Sequence, residues 1–273
     1  MMAPDGVTGP AVMTAADSGE TGLGTATVVA DGLRVRYRVP STDAEDLRAT
    51  SPAQKIFLGM TGQRPKVSVD ALKGISFVAR AGESIGILGR NGAGKSTTFK
   101  MMCGLLTPTE GGCAVSGLDF RTAPGAARAK LGYMAQKFSL YGDLTVLQNL
   151  RFFSGIYGLR GDTALERVVE TFGLAPYLSS RAGSLPLGFK QRLAMGCAVM
   201  HGPDVLFLDE PTSGVDPVTR REFWTCINSF ALKGVTVMVT THFMDEAEYC
   251  DRIALVYRGR TIASGPPDVL KAS

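Results

Sequence analysis

The sequence predicts an α/β fold with a mostly parallel sheet, and three observations carry that prediction. Apolar runs of strand length stand at 84–88, 205–208, 235–240 and 253–256, stretches of helical periodicity separate them, and a glycine-rich loop follows the first run directly. Strands covered on both faces read as continuous apolar runs, and their alternation with helices is the pattern of a parallel sheet.

Taken in order, residues 1–27 are rich in Gly, Ala, Thr, Pro and Asp with little large apolar content, so a disordered tail is expected there. From Val28 a single domain is expected to run to residue 273. Leu33, Val35 and Tyr37 alternate with polar residues as in a half-buried strand. Residues 38–66 mix charge, Pro and Gly around one short apolar patch at 56–58 and read as an insertion. A strand at 72–78, a turn at Ala81-Gly82-Glu83 and the strand at 84–88 follow. Between about 138 and 200 the spacing of Leu144, Leu147, Leu150 and Phe153, then of Leu165, Val168, Val169 and Phe172, predicts a mostly helical segment.

Composition narrows the function. A chain of 273 residues with 45% hydrophobic content can bury one large core, whereas two full-sized domains would be cramped. The formal charge of +4 is modest and its Lys and Arg are dispersed, so no nucleic-acid partner is expected. Five cysteines stand far apart without a CxxC pair, which reads as reduced, buried thiols of a cytoplasmic protein. No apolar run approaches the roughly 20 residues of a membrane-spanning helix, and no basic flank precedes an apolar stretch at the N-terminus. Membrane association is therefore expected through a partner.

The chemistry concentrates in two places. Gly89-Arg90-Asn91-Gly92-Ala93-Gly94-Lys95-Ser96 fits G-x-x-x-x-G-K-[ST] between a strand and a helix, where backbone N–H groups can converge on phosphate oxygens. Lys95 then bridges the β- and γ-phosphates and the Ser96 hydroxyl binds Mg²⁺. Downstream, the apolar run Val205-Leu206-Phe207-Leu208 delivers Asp209 and Glu210 at a strand's C-terminal end, where ligands sit in open α/β sheets. Two adjacent buried acids call for a cation. Asp209 suits organising Mg²⁺, and Glu210 suits positioning or deprotonating an attacking water.

The run GRNGAGKST at 89–97, Gln136 after an apolar strand, LFLDEPTSGVD at 206–216 and TTHFMDEAE at 240–248 stand in this order. Together they resemble the nucleotide-binding domain of ABC transporters, most closely the ATPase subunits of drug and polysaccharide exporters, over about residues 33–270. The resemblance implies a P-loop NTPase core joined to an antiparallel β portion and an inserted helical subdomain. It also implies an ATP- and Mg²⁺-dependent ATPase that sandwiches nucleotide with a second nucleotide-binding subunit, identical or not. That dimer would drive a separately encoded transmembrane permease from the cytoplasmic face of the membrane.

Residue by residue, the resemblance implies that Gly89, Asn91, Gly92, Ala93, Gly94, Lys95, Ser96 and Thr97 hold the phosphates. Gln136, as the Q-loop glutamine, touches Mg²⁺ and the attacking water, and His242, as the switch histidine, bonds the γ-phosphate and keeps Glu210 in line. Asp216 lies in the D-loop that meets the other subunit; a capping turn ahead of Pro217 is equally compatible.

Two departures stand out. Where the family has LSGGQ, this chain has Leu185-Pro186-Leu187-Gly188-Phe189 followed by Lys190-Gln191-Arg192, so Gly188 is kept and the serine hydroxyl is lost. The adenine-stacking aromatic is either Tyr37, which requires residues 38–66 to loop out, or Phe57. Two other classes lack their hallmarks: a second phosphate loop, as in ribosome-associated relatives, and long heptad runs, as in chromosome-maintenance ATPases. A nucleotide-gated module with little turnover is favoured by Pro186 and opposed by Glu210 and His242.

Overall fold

The computed structural model describes residues 26–40 and 66–272. The expected tail up to residue 25, residues 41–65 of the expected insertion, and Phe57 with them lie outside that range. β1 (Ala26–Pro40) and β2 (Lys66–Arg80) pair antiparallel along their whole length, from Ala26 opposite Arg80 to Pro40 opposite Lys66. Residues 26–27, 38–40 and 66, which composition places in the tail and insertion, are thus strand. Main-chain pairing continues past the apolar stretch because ladder hydrogen bonds do not depend on side-chain type.

β4 (Glu110–Val115) and β5 (Leu118–Asp119) complete a four-stranded sheet in the order β2-β1-β4-β5. β4 accompanies β1 only from Val28 opposite Val115 to Arg34 opposite Glu110. Beyond that point β1 and β2 form a two-stranded ribbon. Leu33 and Val35 are accordingly buried, while Tyr37, the third member of the apolar alternation, is 39% exposed.

The second sheet carries the parallel strands. Its order is β10-β9-β3-β8-β7-β6, with β3 (Ser84–Leu88), β6 (Leu131–Met134), β7 (Val205–Asp209), β8 (Thr236–Thr241), β9 (Arg252–Tyr257) and β10 (Arg260–Gly265). All pairings are parallel except that of β10 with β9. Every residue of β3, β7 and β8 is buried. β7 shows why such a run need not alternate: Val205 and Phe207 enter one core, between the two sheets, while Leu206 and Leu208 enter another, under the helices. In the first core Phe99 meets Phe207 edge-on at 5.3 Å. The register sets Leu88 opposite Thr241 and Asp209 opposite Thr240. The loops leaving β3, β7 and β8 therefore emerge side by side.

The helices are α1 (Lys95–Met102), α2 (Pro124–Ala129), α3 (Val146–Ile156), α4 (Thr163–Thr171), α5 (Leu187–Val199), α6 (Pro217–Leu232), α7 (Met244–Ala247) and α8 (Pro267–Lys271). The segment read as helical holds α3, α4 and α5 with two short 3₁₀ turns, and Leu150, Leu174 and Leu193 seat it on Leu206 and Leu208 of the sheet. α3 begins in a capping box, in which Gln148 N donates to Thr145 Oγ1 at 3.1 Å and Thr145 N to Gln148 Oε1 at 2.8 Å. Among the described residues no helix is long and apolar enough to cross a membrane.

All five cysteines are free, and four of them, Cys103, Cys113, Cys197 and Cys250, are buried. Burial pushes the Cys113, Cys197 and Cys250 thiols up to about 12. Because the thiolate is the nucleophile, native protein at pH 8 is expected to accept maleimide only at the half-buried Cys226, with the other four labelled after denaturation. Mass spectrometry of native and urea-treated samples checks this, and fast native labelling of Cys103 or Cys197 contradicts the packing.

Candidate functional site

Tight packing forces the glycine loop into shape. A Cβ on Gly89 would stand 2.5 Å from the Val256 carbonyl oxygen, and Gly94 takes φ 110°, a left-handed conformation open to glycine. Ala93 N donates back to Arg90 O at 3.1 Å, and Gly259 N to Ala93 O at 2.9 Å, so the β9–β10 turn braces the loop from outside. Thr98 N closes the first helical bond of α1 on Gly94 O at 2.9 Å. The amides of Lys95, Ser96 and Thr97 precede that bond and remain for an anion at the positive end of the helix.

Asp209 and Glu210 leave β7 in different ways. Asp209 Oδ1 accepts from Ser96 Oγ at 3.0 Å and from Thr240 Oγ1 at 2.6 Å. Glu210 takes φ 48°, a region where a non-glycine residue costs about 1–3 kcal/mol. Thr240 of β8 holds it there, because Glu210 N donates to both Thr240 O at 3.1 Å and Thr240 Oγ1 at 2.9 Å.

So held, the Glu210 carboxylate meets three of the side chains predicted for the same chemistry. Lys95 Nζ lies 3.1 Å from Oε1, Gln136 Nε2 donates to Oε2 at 2.9 Å, and His242 Nδ1 stands 3.3 Å from Oε2. The Lys95 and Glu210 side chains are 4% and 6% exposed, and Lys95 Nζ also donates to Gly89 O at 2.7 Å. A recess of about 520 Å³ opens beside this cluster, lined by residues 90–93, His242, Tyr257 and Arg258.

Four segments far apart in sequence thus converge: the glycine loop, Gln136, the acidic pair and His242. Tyr37 does not line the recess and lies on the β1–β2 ribbon. Gly188 and Asp216 sit elsewhere, next to each other's helices. Gly188 is at the start of α5, where an added Cβ would come 3.0 Å from Thr219 of α6. Asp216 caps α6, its Oδ1 accepting from Val218 N at 3.1 Å and Thr219 N at 3.0 Å. The bonds from Thr219 hold its carboxyl below the usual carboxylate range. The capping turn is therefore present.

Sequence reasoning missed Thr240 and the turn at Tyr257–Arg258. Two adjacent threonines ending an otherwise apolar run were a signal for the first, since buried hydroxyls need partners. Nothing local marks the second, which reaches the loop only through sheet topology.

Residues 72–213 match the family model described as ABC transporter. The probable multidrug ABC transporter ATP-binding protein YbhF of Escherichia coli is 68% identical over 201 residues, which are 72% of this chain and 35% of that protein. The Nod factor export ATP-binding protein I of Burkholderia lata is 39% identical over 203 residues, 73% of this chain and 67% of that one. The matched part of the chain thus spans about a third of the first relative's length and two thirds of the second's. A solved structure, of an ATP binding subunit of an ABC transporter, superposes with a TM-score of 0.72 at 28% identity, covering 90% of this chain and 92% of that one.

The geometry gives Thr240 a structural task that the acids cannot perform for themselves. Thr240→Val removes the hydroxyl shared by Asp209 and the Glu210 amide, and is expected to lower unfolding stability by about 1–3 kcal/mol. Urea denaturation with unchanged slope checks this, and a midpoint equal to wild type contradicts it.

Proposed function

The chain belongs to the ABC transporter family, and on that premise we propose that it is the ATP-hydrolysing subunit of an exporter, working as half of a nucleotide-sandwiching dimer on a transmembrane permease. The observation that carries this reading is the meeting of Lys95, Gln136 and His242 on one buried carboxylate, Glu210, beside the Ser96–Asp209 contact.

In this reading the amides of the glycine loop and of the α1 start take the α- and β-phosphates. The γ-phosphate competes with Glu210 for Lys95, since both anions need the same ammonium group. Once Lys95 turns to phosphate, Glu210 is left with Gln136 and His242 and is free to take the proton of a water in line with the γ-phosphorus. The two bonds from the Glu210 amide to Thr240 hold the strained backbone from which that carboxylate projects. His242 holds the far oxygen of Glu210 and turns its other ring nitrogen to phosphate.

Mg²⁺ fits the residues present. Ser96 Oγ and Asp209 Oδ1 form a hard oxygen pair 3.0 Å apart, the type Mg²⁺ uses together with phosphates and water. Ser96, Asp209 and Gln136 would hold it, and when bound it neutralises charge on the β- and γ-phosphates.

Tyr141, Phe152 and Ile156 are exposed, and Tyr141 and Phe152 meet edge-on at 4.9 Å. This apolar face follows Gln136 in the chain and is where the permease docks, placing the subunit on the cytoplasmic side of a membrane. Export is supported by the likeness to the Nod factor export ATP-binding protein I. The aromatic platform for adenine is either Tyr37, exposed on its ribbon, or Phe57, which lies outside the described residues.

Titrating nucleotide onto the full chain tests the reading. Lys95→Ala is expected to abolish binding of the γ-phosphate, while Glu210→Gln keeps binding and loses at least about 100-fold in turnover. Substantial activity in Glu210→Gln would reject its role.

A second reading, a binding module with slow turnover, is favoured by the start of α5. Pro186 is its N-cap and supplies no side-chain bond, and Leu187 instead packs its Cδ2 on Gly214 of the same chain, 3.2 Å from where a Cβ would stand. The missing hydroxyl is one charge-assisted bond to the opposing γ-phosphate, worth roughly 1.5–3 kcal/mol. Replacing Pro186 and Leu187 by Ser and Gly in a Glu210→Gln background is therefore expected to strengthen Mg-ATP-dependent dimerisation on the order of 10- to 100-fold. Sedimentation velocity reads it, and equal dimerisation means that Gly188 and the helix end suffice.

A further inference from the structure

Behind the Glu210 cluster lies a second buried carboxylate to which the site has so far given no task. Glu246, on α7, is 1% exposed. Its Oε1 accepts from Thr212 Oγ1 and its Oε2 from Thr241 Oγ1, both at 2.6 Å. Thr212 stands two residues after Glu210, and Thr241 immediately precedes His242. Thr241 Oγ1 also accepts from Phe243 N at 3.0 Å, so the backbone on both sides of His242 is tied to one acid.

The third partner comes from α6. Arg220 Nε lies 3.3 Å from Glu246 Oε1, and Arg220 Nη2 donates to Val215 O at 3.3 Å, in the turn ahead of α6. The guanidinium also sits 4.7 Å over the Phe243 ring and 3.6 Å from Asp245. A buried acid required only for stability needs a cation and any donors. Here both donors, Thr212 and Thr241, belong to segments that carry a residue of the site, and the cation is an Arg220 that also reaches the α6 turn.

We propose that Glu246 is a positioning residue for hydrolysis, setting the separation of the Glu210 turn and the His242 backbone and coupling both, through Arg220, to the turn that opens α6. It does not touch the phosphate cradle. Its effect is on the fraction of bound nucleotide that meets Glu210 and His242 in line, and so on turnover rather than on affinity. The proposal rests on the ATPase reading above and falls with it.

The test is steady-state ATPase activity of the full chain carrying Glu246→Gln, Thr212→Val or Thr212→Ser. Turnover is counted per nucleotide-binding site by titration with a fluorescent ATP analogue, so that unfolded protein does not contribute. Glu246→Gln and Thr212→Val are expected to lower kcat at least about ten-fold with KM within about two-fold, and Thr212→Ser to stay within about three-fold of wild type. A kcat within about two-fold of wild type in the first two variants overturns the proposal, as does a parallel worsening of kcat and KM or a Thr212→Ser protein as slow as Thr212→Val. Wild-type protein that fails to hydrolyse ATP overturns the functional reading itself, and this is seen before any variant is compared.

Discussion

One carboxylate organises the molecule's working end. Glu210 is buried with Lys95, and a buried ion pair repays its desolvation only when geometry is good and the remaining lone pairs are met. Gln136 and His242 meet them. Since these four groups arrive on β3, β7, β8 and the segment after β6, their distances are fixed by the register of one parallel sheet. A slip of one residue anywhere in that register would turn the side chains to the opposite face and dissolve the cluster.

The same dependence explains the two cores. β7 must carry Asp209 to the sheet's edge, and it is pinned from both sides, by Phe207 against Phe99 and by Leu206 and Leu208 against the helical segment. Helices that contribute no side chain to the Glu210 cluster thus still decide where the acids stand. Glu246 extends this pinning beyond the strand ends, with hydroxyls in place of apolar contacts.

Much of this was legible in the chain. The apolar runs located β3, β7, β8 and β9, and the residues of the glycine loop and of the acidic pair stood in contiguous motifs, because a phosphate cradle needs consecutive amides and a strand end needs consecutive acids. Less legible were features that depend on a neighbour distant in sequence. Tyr37 read as the third apolar residue of a half-buried strand, yet β4 stops at Arg34 and leaves it exposed. Thr240 looked like one more strand residue until its hydroxyl was found between Asp209 and the Glu210 amide. Leu187 read as a lost glycine, and the sequence did not disclose that it leans on Gly214 of its own chain.

The pairing of Pro40 with Lys66 has a consequence for how such a chain can vary. Two strands that end opposite each other present a pair of anchor points one strand-spacing apart, and the chain between them is a closed loop whatever its length. Closure entropy grows only logarithmically, about 0.6 kcal/mol for each doubling of loop length. The ribbon is therefore a place where the chain can gain or lose segments at small thermodynamic cost, while β3 and the glycine loop a few residues downstream are untouched. New recognition surfaces could be grafted there without renegotiating the sheet that holds the Glu210 cluster.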